Sequence, residues 1–344
     1  MSNVHYSDYL QLEKILKAQD MESVKHGTPA HDEMLFIIIH QSYELWFKQI
    51  LHEIDSIAEI LSKTEVNDNS PELQMVTHRL NRIAVILRML VNKVDVLETM
   101  TPMDFLDFRD MLRPASGFQS WQFKITEAKL GLKFDHRHGQ QYYTSQLRPE
   151  QVEMIKEVEK QLSLLELVDA WLKRTPFFNN NDYWSTYKTT TPEGTLHHPF
   201  WNDYRNIYAS GLVEGEAQNL EEFDNLFLRG NSGSSFSAEA NRAALFIMLY
   251  RGYPMLQLPF RMLELLLEID NLLATWRFRH VNMVHRMIGT RVGTGGSSGK
   301  DYLKGALDKH YIFKDIARLN TFLIERRRLP QLSPELETRL GFAR

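Results

Sequence analysis

Two of the chain's 13 histidines lie deep in strongly apolar helical patterns, His40 in LFIIIHQSYELWF and His280 in NLLATWRFRHVNMVHRM. At helical spacing His280 shares a face with Leu273, Trp276, Val284 and Met287. That is the apolar surround expected of a neutral imidazole bound to heme iron, and Trp276, one turn earlier, could steady the ring. His285, five residues on, points about 140° away and reads as a surface or supporting residue. His40 follows Phe36 by one turn and precedes Tyr43 and Phe47, an aromatic face able to line a pocket for a planar ligand. Taken alone, a histidine on an apolar face is more often a hydrogen-bonded core residue, and that reading stays open for both. A non-heme metal centre on His40 and Glu44, which share a face, is the competing idea. The sequence offers no Glu-x-x-His partner helix for it, and no HExxH, because Ser56 stands where His52-Glu53 would need the second histidine.

Arg109 sits in FLDFRDMLRPASGFQ between Phe105, Phe108 and Leu112, so its guanidinium leaves a largely apolar wall and needs an anion. The carboxylate of an amino acid would satisfy it with two parallel charge-assisted hydrogen bonds, a geometry lysine cannot reproduce. The alternative is a surface pairing with Asp107 or Asp110. The run GTGGSSGK, Gly293 to Lys300, invites a nucleotide reading, since successive backbone N–H groups can cradle phosphate. A phosphate-binding loop of the Walker type needs glycine at Thr294 and Ser or Thr at Asp301, and it follows a strand; a dinucleotide loop needs glycine at Ser298. What remains is a plain connection, or a loop whose hydroxyls and N–H groups close over a small polar ligand.

The elements that must position these residues are helices. Apolar residues recur every three or four positions, while alternating stretches rich in Val, Ile and Thr are nearly absent, which predicts an all-α fold. Helices are expected at about Ser7–Ala18, from His31–Glu33 through the run ending EIDSIAEIL, at Pro71–Glu98, and from Pro102 until Pro114 ends the next. Residues 131–148 read as a loop, followed by a helix from Pro149 to about Lys173. Further helices are expected at about 201–210, 217–229, 237–251 and Met255–Ile288, then the glycine–serine loop and two closing helices. No repeat or domain boundary stands out, so residues 1–344 read as a single large helical-bundle domain. Its 344 residues, 43% hydrophobic and 24% charged, can bury a core without staples. No run of about 18 apolar residues could span a bilayer. A formal charge of −4 gives no footprint for nucleic acid, and Arg326-Arg327-Arg328 is read as part of a solvated tail over about 325–344. The N-terminus lacks the features of a secretory signal, so a cytoplasmic location is expected. The absence of cysteine excludes disulfides, zinc–thiolate sites, iron–sulfur clusters and thiolate-ligated heme.

Four segments, HDEMLFIIIHQSYELWFKQILHE, FLDFRDMLRPASGFQSWQF, WRFRHVNMVHRMIG and GTGGSSGKDYL, resemble in order and spacing the motifs of the tryptophan 2,3-dioxygenase family. The likeness extends from about Tyr6 to about Leu323. It implies an all-α homotetramer that binds heme b, ferrous in its active form, with O2 as co-substrate and L-tryptophan as substrate. By the same resemblance His280 is the iron ligand, with Trp276 beside it, and His40 lies near the indole N–H. Phe36, with Phe105, walls the substrate pocket. Arg109 binds the substrate carboxylate and Thr294 the amino-acid end. Ser116, in PASG, lies on the distal side close to the heme. Tyr6 and Tyr9 reach the active site of a neighbouring subunit from the segment 1–20. Lys124 stands where the family has arginine, near the heme propionates; it still supplies positive charge, as a single point. Residues 176–199 match no family pattern.

The activity so implied is opening of the indole C2–C3 bond by dioxygen to N-formyl-L-kynurenine, the first step of tryptophan degradation through kynurenine. Heme carries the oxygen chemistry, and the protein has to hold an electron-rich indole beside it. Neutral His40 would orient the indole rather than act as an obligatory base. A hydroxylase of an aromatic amino acid on the same scaffold and a non-catalytic heme or tryptophan sensor are the alternatives. An indoleamine dioxygenase would carry no histidine at the position of His40.

Overall fold

A computed structural model describes residues 3–63, 70–137, 140–178, 180–187, 197–231, 233–293 and 310–341. Among these there is no strand, as the apolar spacing predicts. Three long helices form the frame: α1 (Glu33–Leu61), α2 (Pro71–Leu97) and, late in the chain, the 35-residue helix Pro254–Ile288. Local chemistry sets where they start. The Ser70 hydroxyl accepts the Leu73 N–H at 3.2 Å with Pro71 in the first turn, where a missing N–H costs nothing. Thr101 and Asp104 cap α3 (Pro102–Arg109) reciprocally. After α4 (Trp121–Leu130), Gly131 turns the chain at φ +139, where a Cβ would lie 2.8 Å from Leu165.

Three expectations change here. The helix expected over Ser7–Ala18 is two single turns, Tyr6–Tyr9 and Leu12–Ile15, because Gln11 between them is left-handed at φ 51. The helix expected over Pro149–Lys173 is two, α5 (Pro149–Glu159) and α6 (Leu164–Lys173). Ser163 restarts the chain by exchanging capping bonds with Glu166, which a continuous helix could not form. The tail is docked rather than solvated. Arg328 donates to the Ile207 carbonyl at 2.9 Å, the Tyr250 hydroxyl donates to Pro330 O at 2.6 Å, and Leu336 and Leu340 are buried.

α7 (Phe200–Ala209), α8 (Gln218–Phe223) with the π-helical turn 224–229 that continues it, and α9 (Ala238–Leu249) complete the scaffold, with Pro254–Ile288 as α10 and Pro334–Leu340 as α11. α10 packs along α2, and α2 along α1, with α4 also against α1. Apolar faces spaced at three and four residues meet in that layer: Ile50, Ile54, Ile57 and Leu61 from α1, Leu80, Ile83, Leu87 and Leu90 from α2, Leu266, Ile269 and Leu273 from α10. No helix among the described residues is long and apolar enough to cross a membrane. The layer matters for chemistry because His40 lies near the start of α1 and His280 near the end of α10.

Candidate active site

His40, Tyr43, Glu44 and Phe47 of α1, Val94 and Leu97 of α2, and Trp276, His280 and Met283 of α10 line one cleft. Phe118, just ahead of α4, and Phe123, Lys124 and Glu127 of α4 close it, and Arg137 and Arg277 stand at the same end as Lys124. The cavity among these atoms is about 160 Å³, within a wider gap that opens to solvent. The lining is mainly aromatic and aliphatic, with charge gathered at the Lys124 end.

The two histidines that sequence singled out therefore meet across the fold, 240 positions apart in the chain. Burial pushes the His280 imidazole down to about 4, helped by proximity to His40. His280 is thus neutral at physiological pH, and it makes no hydrogen bond among the described residues. Its ring is parallel to Trp276 within 3°, with centroids 5.4 Å apart, and Trp276 packs in turn on Phe123 at 4.8 Å. A neutral, unpartnered imidazole on an apolar wall keeps a free lone pair, the feature a metal ligand requires.

His40 differs in a way that fixes its proton. Its Nδ1 lies 2.7 Å from the Phe36 carbonyl, which can only accept, so Nδ1 carries the hydrogen and Nε2 presents a lone pair. Burial lowers its pKa, outweighing the opposing pull of the Phe36 carbonyl and Glu44. The imidazole is therefore a neutral hydrogen-bond acceptor. Among the described residues no three His, Asp or Glu side chains converge, so His40 and Glu44 lack the third ligand a non-heme metal centre would need there. Glu44 instead accepts a hydrogen bond from Gln122 at 2.8 Å.

Phe36 stands 4.1 Å from the His40 ring and stacks on Phe105 at 5.7 Å, extending the aromatic wall toward Arg109. Arg109 is 4% exposed, so its charge is held in an apolar setting. One terminal nitrogen donates to the Val292 carbonyl, the other lies 3.8 Å from exposed Asp110, and the buried Nε has no partner. The surface pairing with Asp110 is thus a loose one, and the guanidinium retains donor capacity for an anion. Gly289, at φ +58 and ψ −122, reverses the chain after α10 and brings Val292 back to this arginine. Thr294 lies outside the described residues. Ser116 caps the turn Gly117–Gln119, its hydroxyl accepting from Phe118 N at 3.3 Å, next to Gly117 and Phe118 of the lining. Tyr6 and Tyr9 are 70% and 75% exposed, and neither lines the cleft of its own chain.

Beyond Lys124, sequence reasoning missed the polar end of the cleft. Buried Glu127 accepts from Arg137 and from Arg277, each at 2.6 Å, while Arg277 also donates to the His310 carbonyl at 3.2 Å. Burial alone would raise the Glu127 carboxyl, but the two arginines and His310 outweigh it and hold it down at about 2. Lys124 is pushed down to about 8 by burial and then by Arg137, and so stays mostly protonated at neutral pH. Where they line the cleft, Lys124, Arg137 and Arg277 face the single carboxylate of Glu127, with Glu159 near Arg137 and Asp270 near Arg277 behind them, so the lining itself is positive, a match for carboxylates on a bound group. Arg137 comes from a segment read only as a loop, and Arg277 from a position overshadowed by Trp276. The one available hint was a pair of arginines beside otherwise apolar runs.

The family model of tryptophan 2,3-dioxygenase matches residues 1–323. A tryptophan 2,3-dioxygenase of Bdellovibrio bacteriovorus is 44% identical, the match covering 98% of each chain. One from Dictyostelium discoideum is 41% identical over 99% of this chain and 88% of its own, and one from Mus musculus 40% over 96% and 84%. With the cleft joining His40 to His280, and with likeness of this extent, the chain belongs to the tryptophan 2,3-dioxygenase family.

Proposed function

We propose that this single-domain chain is a heme-dependent tryptophan 2,3-dioxygenase, adding both atoms of O2 across the indole C2–C3 bond of L-tryptophan to give N-formyl-L-kynurenine. The observation that carries the reading is the pair of neutral imidazoles in one aromatic cleft, one free to ligate iron and the other presenting an acceptor nitrogen. The residues fit heme b. His280 would hold the iron, Trp276 and Phe123 would pack beside it, and Lys124, with Arg137 and Arg277 behind it, would meet the propionates. When bound, ferrous heme supplies the redox chemistry that lets O2 react with an indole.

The chain's own residues do the rest. Arg109, with Thr294, would take the substrate's zwitterionic end, and Phe36 and Phe105 would enclose the ring. Nε2 of His40 would accept the indole N–H, so His40 orients rather than deprotonates. Ser116 would border the distal side. Exposed Tyr6 and Tyr9 sit with the exposed side chains of Val4 and Leu16 on the N-terminal arm, which suits insertion into a neighbouring subunit of a homotetramer. The proposed location is cytoplasmic.

Heme-loaded, reduced protein mixed with L-tryptophan in air should form N-formylkynurenine, identified by mass with two added oxygens. A product with one oxygen would replace the dioxygenase reading with a hydroxylase, and bound heme without product would leave a sensor. If His40→Ala abolished turnover while tryptophan still bound in its usual pose, the orienting role would be wrong.

A further inference from the structure

We propose that Glu127 is a positioning residue for the cofactor: its two carboxylate oxygens hold Arg137 and Arg277, one each, at the end of the cleft that would receive a bound group's carboxylates. The inference rests on the proposed function, in which heme lies with its propionates at this end. Three separate parts of the chain meet in these bonds. Oε2 of Glu127, on α4, accepts from Nη1 of Arg137, and Oε1 accepts from Nη2 of Arg277, on α10, each at 2.6 Å. A carbonyl holds each guanidinium a second time, Lys124 holding Arg137 at 3.4 Å and His310 holding Arg277 at 3.2 Å. Arg137 also lies over the Tyr143 ring, 3.7 Å from its centroid.

Two guanidiniums drawn to one carboxylate repel each other, and Glu127 is what keeps them together. The side chains of Arg137, Glu127 and Arg277 are only 1%, 5% and 6% exposed. Ion pairs buried this way add little net stability, because desolvation offsets the attraction, so the triad is better accounted for by what it presents. Lys124 lies one turn before Glu127, and Arg277 one turn before His280, and all four line the same cleft. The carboxylate thereby ties the cationic edge of α4 to the turn of α10 that carries the proposed iron ligand. A guanidinium has donors along more than one edge, so an arginine bonded to Glu127 can also meet a second carboxylate. Removing the negative charge would strengthen the general attraction for propionates but release the geometry. Geometry dominates in this proposal, because paired charge-assisted bonds depend on where the donors stand.

The test compares the rates at which wild type and Glu127→Gln lose hemin, and hemin dimethyl ester with its uncharged side chains, to an apomyoglobin acceptor. From wild type the ester should leave faster. In Glu127→Gln the ratio of the two rates should fall about tenfold, and the propionate bending band in the Raman spectrum of the hemin-loaded protein should shift. An unchanged ratio would overturn the proposal, since Glu127 would then support the fold and not the propionates. A larger ratio would overturn it too, as the mark of a screening charge. Should Glu127→Gln not fold, Glu127→Asp decides: it keeps the charge but is one methylene too short to bridge both arginines, so an undiminished ratio defeats the proposal. Wild type that holds hemin and its ester equally would instead defeat the seating of propionates at this end, and wild type that takes up neither would defeat the proposed function.

Discussion

His198 and His280 each pack on a tryptophan, His198 tilted at 41° and 4.3 Å from Trp184 and His280 parallel at 5.4 Å from Trp276, and burial pushes both imidazoles down to about 4. Their surroundings separate them. His198 belongs to a packed aromatic core in which Phe178, Phe200, Trp201 and Phe246 meet at 5 to 6 Å, and its Nδ1 accepts the Phe200 N–H at 3.2 Å, serving the start of α7. His280 faces a cleft and has no such duty. A depressed histidine pKa therefore records desolvation in both regions, and the unspent ring nitrogens, rather than the titration, mark the functional one.

The comparison can be broken most directly by removing each ring. His280→Ala should abolish stoichiometric heme binding, read as loss of the Soret band, with the apoprotein still folded. His198→Ala should keep heme and instead lower stability by about 1–3 kcal/mol, because a buried N–H loses its acceptor, measurable by urea unfolding. Heme loss in His198→Ala at unchanged stability would erase the distinction.

A second contrast concerns buried arginines. Arg242 of the aromatic core donates to the Phe227 carbonyl and lies 3.6 Å from Glu239, whereas Arg109 keeps its buried Nε unpartnered. Arg109→Lys should raise the KM for tryptophan roughly tenfold to a hundredfold by losing the forked geometry. Arg242→Lys should leave KM alone and be visible only in stability.

Smaller still, deletion of residues before Ala18 should weaken tryptophan affinity while sparing heme content; equal loss of both would count against an arm that crosses between subunits. The finest test is titration. Both histidines have folded pKa values near 4 against about 6.5 unfolded, so the unfolded chain binds more protons between those limits. Stability should rise with pH through that window. Buried Asp270, raised to about 6 by desolvation, opposes this, since the folded state binds its proton between about 4 and 6. Replacing either histidine with phenylalanine should flatten the apoprotein's rise by up to one proton. A rise that flattens for only one of them would show that their burial differs.

Much of the scaffold was legible because α1, α2 and α10 carry sustained apolar faces with ordinary start signals, and burying such a face leaves a helix few alternatives. The breaks were harder to read. Gln11 carries no sign of its left-handed conformation, and Ser163 caps a new helix in a stretch whose apolar spacing runs on across the gap. Arg328 and Leu336 look like a polar tail until α7 and Tyr250 are there to receive them.

Within the site, the sequence determined the two histidines on apolar faces, the aromatic wall at Phe36 and Phe105, and an arginine in need of an anion, since residue type and helical spacing alone expose those tensions. Only the tertiary structure decided that His40 and His280 share a cleft, that the Phe36 carbonyl fixes the proton on Nδ1, and that Glu127 gathers Arg137 and Arg277 into a positive rim with Lys124. Those facts depend on distances between groups far apart in the chain, and the energy of a charge or a hydrogen bond is set by such distances and by burial.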